Sequence, residues 1–302
     1  MKHFGLLRRC LENSTTGLVG FLFVAFTVLV ALLGPWLTPY VMNDQSAMYT
    51  IGTNTWPSAS HLLGTDRQGY DVLTQLIYGA RTALIVGLGA VVVAAFIGIV
   101  VGSIAGYRGG WVDELLMRVT DFFLVIPIFI VILALVRILT KSITGTSFEG
   151  LPYFNLLVII AIIGLFGWAP IARMTRAEFL RIRNLEYVAA ARCAGLPERR
   201  IIFQEILPNA MPSVVVLVAL EVGAAILIEA MISFLGFGDP ASPSWGQMLH
   251  VNYQSLRIYP IASLAPGMMI FITVMGFNLL ADGLADAANP RGTKARNLGP
   301  QT

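Results

Sequence analysis

Residues 186–208 read EYVAAARCAGLPERRIIFQEILP, and they lie between two long apolar runs that they do not resemble. Glu186 opens the stretch, followed by the small residues Ala189, Ala190, Ala191 and Ala194, with Arg192 among them. A run of alanines predicts a helix. Gly195 predicts its stop, because glycine takes the left-handed conformation of a helix C-terminus without a Cβ clash. Pro197 is placed to open a second short helix as its first residue. That helix carries Ile201, Ile202, Phe203 and Ile206 and is expected to end at Leu207-Pro208. A helix–Gly–helix unit with a smooth alanine face, hung between apolar runs, predicts a docking piece for another protein.

The apolar runs set the class. Of 302 residues, 56% are hydrophobic and 12% charged, against about 25% charged in a soluble domain. The mean hydropathy is +0.75. The chain is therefore a membrane protein. Its net charge of +3 is small and spread over the loops, which argues against nucleic acid. No Gly-x-x-x-x-Gly-Lys-Ser/Thr loop occurs, so P-loop hydrolysis of ATP by this chain is excluded. The three histidines, His3, His61 and His250, and the two cysteines, Cys10 and Cys193, form no metal-ligand pattern; the cysteines are expected as free thiols.

Working outward, residues 17–40 hold 24 uncharged residues, too long for a signal h-region and long enough to span a bilayer. Residues 41–78 are polar and turn-rich. Further spans are expected over residues 84–106, 115–138 (with Asp121 near its start and Pro127 inside), 153–172 (interrupted by Gly167 and Pro170), 211–235 and 259–281. The residues between 138 and 153 and between 235 and 259 read as loops, and residues from 282 as a polar tail. With both termini in the cytoplasm, 15 of the 20 Lys and Arg residues fall inside, seven of them from Arg173 to Arg200. The positive-inside bias supports that orientation. Gly98 and Gly102 predict close helix packing.

The stretch 186–208 resembles the cytoplasmic coupling loop of bacterial ABC-importer permeases, whose pattern is Glu-Ala-Ala, three residues, Gly, nine residues, Ile-x-Leu-Pro. Ala190, Ala191, Gly195, Leu207 and Pro208 match; Ala189 stands where the family has Glu, and Glu205 where it has Ile. Glu186, one turn earlier, is placed to substitute for the missing acid. Three further stretches resemble the second permease subunit of dipeptide/oligopeptide-type importers: HLLGTDRQGYDVLTQLIYGARTALIVG at 61–87, SFLGFGDPASPSWGQML at 233–249 and FNLLADGLADAANPR at 277–291. The resemblance implies an all-α polytopic protein of six transmembrane helices with the type I ABC-importer permease fold. It divides the chain into residues 1–78 (tail, first span, extracytoplasmic loop) and a permease core, 79–302, with a coupling loop at 173–208. It implies as partners a homologous permease, two cytoplasmic ATPase subunits that bind ATP and Mg, an extracytoplasmic binding protein and membrane lipid. The location implied is the bacterial inner membrane. The substrates implied are di- or oligopeptides, with nickel complexes and oligosaccharides as alternatives; no cofactor or metal is expected in this chain.

Charges inside spans are expensive and point to function by default. Glu221 and Glu229 are eight apart and share roughly one helical face. Both are candidates for the wall of the translocation path, and both have a structural alternative, a hydrogen-bonded clamp; Glu229 leans to the clamp because it approaches the turn at Ser233. Asp121 reads as a pin at the end of its span. An intramembrane enzyme needs paired catalytic groups, but about 12 Å of helical rise separates the two acids. An ion-driven secondary transporter would leave the alanine-faced loop without a purpose.

Overall fold

The computed structural model describes residues 8, 10–12, 14–38, 40, 42, 52–143, 154–239 and 242–288. The expected loop between 138 and 153, most of the N-terminal tail and the polar tail beyond Ala288 lie largely outside them. The described chain is helical: α1 (Thr15–Leu37), α2 (Val72–Arg108), α3 (Gly110–Val125), α4 (Ile128–Ile143), α5 (Phe154–Phe166), α6 (Trp168–Ile182), α7 (Glu186–Cys193), α8 (Leu207–Phe234), α9 (Trp245–Asn252) and α10 (Ile261–Ala288). One turn, Glu198–Arg200, and a π-helical turn, Ile201–Ile206, run straight into α8.

Among the described residues five helical stretches are long and apolar enough to cross a membrane, and a sixth crossing requires α3 and α4 to count as one span bent by 81°. The bend sits where the sequence has Ile126-Pro127. A residue before proline is pushed out of the α region, and Ile126 is extended, with ψ 132. By contrast, Gly167 merely separates α5 from α6, and Phe154–Ile182 passes as one span.

α2 begins twelve residues before the expected start at 84. Asp71 caps it, accepting from the Thr74 backbone N–H at 2.8 Å. Its polar first turns are buried against other elements rather than dissolved in a loop: Trp245, 1% exposed, donates its indole N–H to the Leu76 carbonyl at 3.0 Å. Residue 78, expected to close the first segment, therefore lies inside a continuous helix.

The far half of α2 is built for contact with α6. Gly98, Gly102 and Gly106 recur every four residues, and a methyl on them would meet Ile171 and the Trp168 carbonyl, the Ala172 carbonyl and Thr175, and Phe179 and the Arg176 carbonyl, respectively. Backbones approach this closely only without side chains between them. α2 and α6 thus form one rigid pair.

Around the start of α2, polar groups are buried and paired. Asp71 also binds His61 Nδ1 through its other oxygen at 2.9 Å, and both side chains are nearly sealed from solvent. His61 stacks on Tyr40 with ring centroids 4.6 Å apart. Asp66 accepts from the backbone N–H groups of Gln68 (2.8 Å) and Tyr70 (2.9 Å). Its burial pushes the carboxyl above the usual aspartate range, against the pull of those N–H groups. The Tyr259 hydroxyl donates to the Leu63 carbonyl, and Thr82 donates to the Pro243 carbonyl at 2.7 Å. The turns around Gly64, Asp66, Gly69 and Asp71 are a clasp that ties the segment before α2 to the segment around α9.

Candidate functional site

The stretch 186–208 folds at the other end of α2. Helix α7 ends in a Schellman arrangement: Gly195, at φ +76, donates to the Arg192 carbonyl at 2.9 Å, and Leu196 donates to the Ala191 carbonyl at 3.2 Å. The stop at Gly195 is where the sequence places it. Val188 is fully buried against Phe179, Ile182, Ile201, Ile206 and Ala210, which fastens α7 to α6 and to the approach to α8. Glu186, Ala189, Ala190, Arg192 and Gly195 are exposed, whereas Ala191 is half-buried against that small core. The smooth face is therefore Ala189 and Ala190, with Ala191 at its inner edge.

Two details of the expected second helix need correction. Pro197 is the N-cap, extended at ψ 142, and Glu198 is the first helical residue. Leu207-Pro208 does not end the helix. The chain widens into the π turn, in which Leu207 donates five residues back to the Ile202 carbonyl, and continues through Pro208 and Pro212 into α8. Proline is tolerated near a helix start, and Asn209 Nδ2 adds a bond to the Glu205 carbonyl at 2.6 Å. Leu207 packs on the small core and Pro208 is exposed. From Glu198 to Phe234 the second part of the stretch and the span that carries Glu221 are one continuous rod.

Sequence reasoning missed a set of long-range contacts made by the arginines of α6 and α7. Arg176 grips Asp113 of α3 with two bonds, Nε to Oδ1 at 2.5 Å and Nη2 to Oδ2 at 2.6 Å. Arg173 reaches Asp121 at 2.6 Å. Arg183 donates to the carbonyls of Gly106 (2.8 Å) and Tyr107 (3.0 Å), the frayed end of α2. The Arg192 guanidinium lies 5.8 Å from the centre of the Tyr107 ring. A signal was present: Arg173 and Arg176 are one turn apart, Asp113 and Asp121 two turns apart, so each set lies on one face.

The two membrane acids part company. Glu229 is 2% exposed and is held by the Ser233 hydroxyl at 2.6 Å and by the Ser244 side chain. It clamps α8 to the segment before α9, which is the structural alternative. Glu221 is half-buried near the middle of α8. It has no hydrogen-bond or ion-pair partner among the described residues and borders a water-sized cavity of about 30 Å³. Ala90, Ile128, Ile132, Ile163 and Gly167 complete that wall. The cavity thus adjoins both helix interruptions, Pro127 and Gly167, where backbone departs from the regular ladder. Among the described residues no three His, Cys, Asp or Glu side chains stand close enough to hold a metal ion.

Comparison with known proteins agrees with this architecture. Residues 98–294 match the family described as binding-protein-dependent transport system inner membrane component. Residues 8–57 match the N-terminal TM domain of oligopeptide transport permease C. The chain is 35% identical over 281 residues to the oligopeptide transport system permease protein OppC of Bacillus subtilis, covering 93% of this chain and 87% of that one. It is 37% identical to the dipeptide transport system permease protein DppC of Alkalihalophilus pseudofirmus, over 93% and 88% of the two chains. It is 33% identical to the glutathione transport system permease protein GsiD of Pectobacterium atrosepticum, over 94% and 89%. Such a component works with a binding protein and an ATPase and carries out no covalent chemistry itself. The chain belongs to the inner-membrane permease components of binding-protein-dependent ABC importers, in the oligopeptide permease C branch.

Proposed function

We propose that this chain forms half of the membrane pathway of an ATP-driven importer of di- and oligopeptides. A homologous permease supplies the other half, two cytoplasmic ATPase subunits bind ATP and Mg, and an extracytoplasmic binding protein delivers substrate. The observation that carries this reading is the α7 unit: an exposed small-residue face, stopped by Gly195 and followed by a rod, Glu198–Phe234, that runs through the π turn into a membrane span. Ala189, Ala190 and the edge of Ala191 form the contact to the ATPase. Glu186 and Arg192 flank it, Gly195 fixes its shape, and Leu207 and Pro208 join it to α8. The peptide substrate rests on the relatives that carry peptide names, and glutathione, itself a tripeptide, fits the same reading.

Within the membrane, Glu221 stands on the path and Glu229 braces its wall from behind. Both termini and the loop 173–208 face the cytoplasm, on the strength of the basic residues gathered there. Residues 79–302 form the permease core.

The test combines two measurements. In a strain lacking the gene, uptake of labelled dipeptide, longer peptide and nickel is compared, with loss of peptide uptake alone expected. In intact cells, cysteines placed at Asn54 and at Glu198 are treated with a membrane-impermeant thiol reagent. Labelling at Asn54 only supports the orientation; labelling at Glu198 only reverses it.

A further inference from the structure

Helix α3 is attached to the bundle in an unusual way. Thr120 is its only buried residue, while Trp111, Leu115, Phe122 and Val125 are largely exposed. It leaves α2 through Gly109 and Gly110, both at positive φ (68 and 59), a joint that only glycine adopts without strain. Near the bend, Phe123 packs on Phe166 and Trp168, with ring centroids 5.6 and 5.2 Å apart; little apolar packing fixes the first half of the helix. The polar ties are Asp113 to Arg176 in that first half and Asp121 to Arg173 further on, both reaching α6. The second pair is 58% and 57% exposed and is worth little. The first is different. Asp113 is 14% exposed and is held bidentately, the geometry that gives Arg–carboxylate pairs direction as well as strength.

The two ends of this attachment matter. On one side, α6 runs through Arg183 into α7 and shares the buried core of Val188. On the other, α3 leads through the 81° bend to Ile128 and Ile132, which line the cavity at Glu221.

We propose that the Asp113–Arg176 ion pair is the latch through which the docking loop moves the bent third span, so that movement imposed at α7 reaches the cavity wall beside Glu221. This rests on the reading of α7 as the ATPase contact. The α2–α6 pair is locked by backbone contact at three glycines and moves as one body; the first half of α3 follows it only while the latch holds. Arg176 and Asp113 are positioning residues, touching neither substrate nor nucleotide.

The test uses the assembled complex in lipid vesicles, with spin labels at Leu115 on α3 and at the exposed Phe271 on α10, outside the α2–α6 body. In the otherwise wild-type complex, trapping with ATP and vanadate shifts the distance between the labels. In Asp113→Asn the shift is lost, while binding-protein-stimulated ATP hydrolysis stays within about twofold and labelled-dipeptide uptake per ATP falls about tenfold, within the range by which residues along a coupling route act. The exchanged pair, Asp113→Arg with Arg176→Asp, restores most of the shift. Should Asp113→Asn assemble poorly, Arg176→Lys is the milder probe. Lysine keeps the charge but cannot span both carboxylate oxygens, so part of the shift is lost.

An unchanged shift in Asp113→Asn or Arg176→Lys overturns the latch, as does a wild-type complex in which α3 never moves against α10. Failure of the ATPase to associate with wild-type complex, or normal coupling in Ala190→Trp, removes the docking reading itself and the latch with it. Uptake of no peptide alongside a normal spin-label response removes only the peptide assignment.

Discussion

The two ends of α2 are built on opposite plans. At Val72 the surroundings are closed: His61, Asp66, Asp71 and Asn252 are buried polar residues, and each is bonded within the protein. At Arg108 they are open: arginines reach across from α6 and α7 to carbonyls, a ring and carboxylates, and the alanines of α7 face outward. Buried, fully paired polar groups give one arrangement and resist any other. Exposed small residues and partly exposed ion pairs allow exchange of partners at small cost. The closed end holds the spans in register, and the open end is where force can enter.

The largest effect should come from breaking the closed end. Asp71→Ala removes the cap of α2 and leaves His61 and Thr74 unmatched. Losing one member of a buried pair costs about 3–5 kcal/mol. The expected result is a marked drop in the melting temperature of the purified complex and in its yield, with little change in uptake per ATP by whatever assembles. If uptake per ATP collapses while melting is unchanged, the closed end is not the static one.

Gly195→Val is next. A β-branched residue at φ +76 costs about 1–2 kcal/mol, and relief of that strain turns the Glu198–Arg200 turn against α7. Ala190→Trp fills the docking face without bending it. Both should lose uptake and either release the ATPase in pull-downs or leave it hydrolysing without transport, while the spans still insert. Normal uptake with normal stimulation in both variants would abolish the contrast between the two ends.

Glu221→Gln should have the smallest effect on assembly. An amide costs less to bury than a carboxylate, so yield holds or rises while uptake falls. A collapse of yield with normal transport by the survivors would make Glu221 a brace like Glu229.

Much of this was legible from the sequence. The apolar runs announced the spans, and Pro127 announced a break, though not an 81° one, because the angle is set by what α4 packs against. The start of α2 was hidden because Thr74, Gln75 and Thr82 look like loop residues until Asp71, Asp66 and the Pro243 carbonyl are brought to them. The clamp at Glu229 was visible in part because Ser233 lies one turn away on the same helix. The Asp113–Arg176 pair was not, because its partners lie 63 positions apart: periodicity places Arg173 with Arg176 and Asp113 with Asp121 on one face each, but does not match the two faces. Leu207-Pro208 misled for a local reason: proline usually ends a helix, and nothing in its neighbours announces a π turn.

That π turn also has an angular consequence. It holds one residue more than the α ladder it interrupts, so every residue beyond it is turned by about 100° relative to an uninterrupted α-helix. The azimuth of Glu221 is thus set at Ile201–Ile206, well outside its own neighbourhood. Deleting Gln204 removes the extra residue, so the ladder should close with Glu221 left at its azimuth, the ATPase bound and uptake kept; loss of uptake by a normally assembled complex would disprove it. A π turn that closes without losing a residue would rotate α8 by about 100° about its own axis and shift it by about 1.5 Å along that axis. The rod between loop and cavity can then act as a screw as well as a lever.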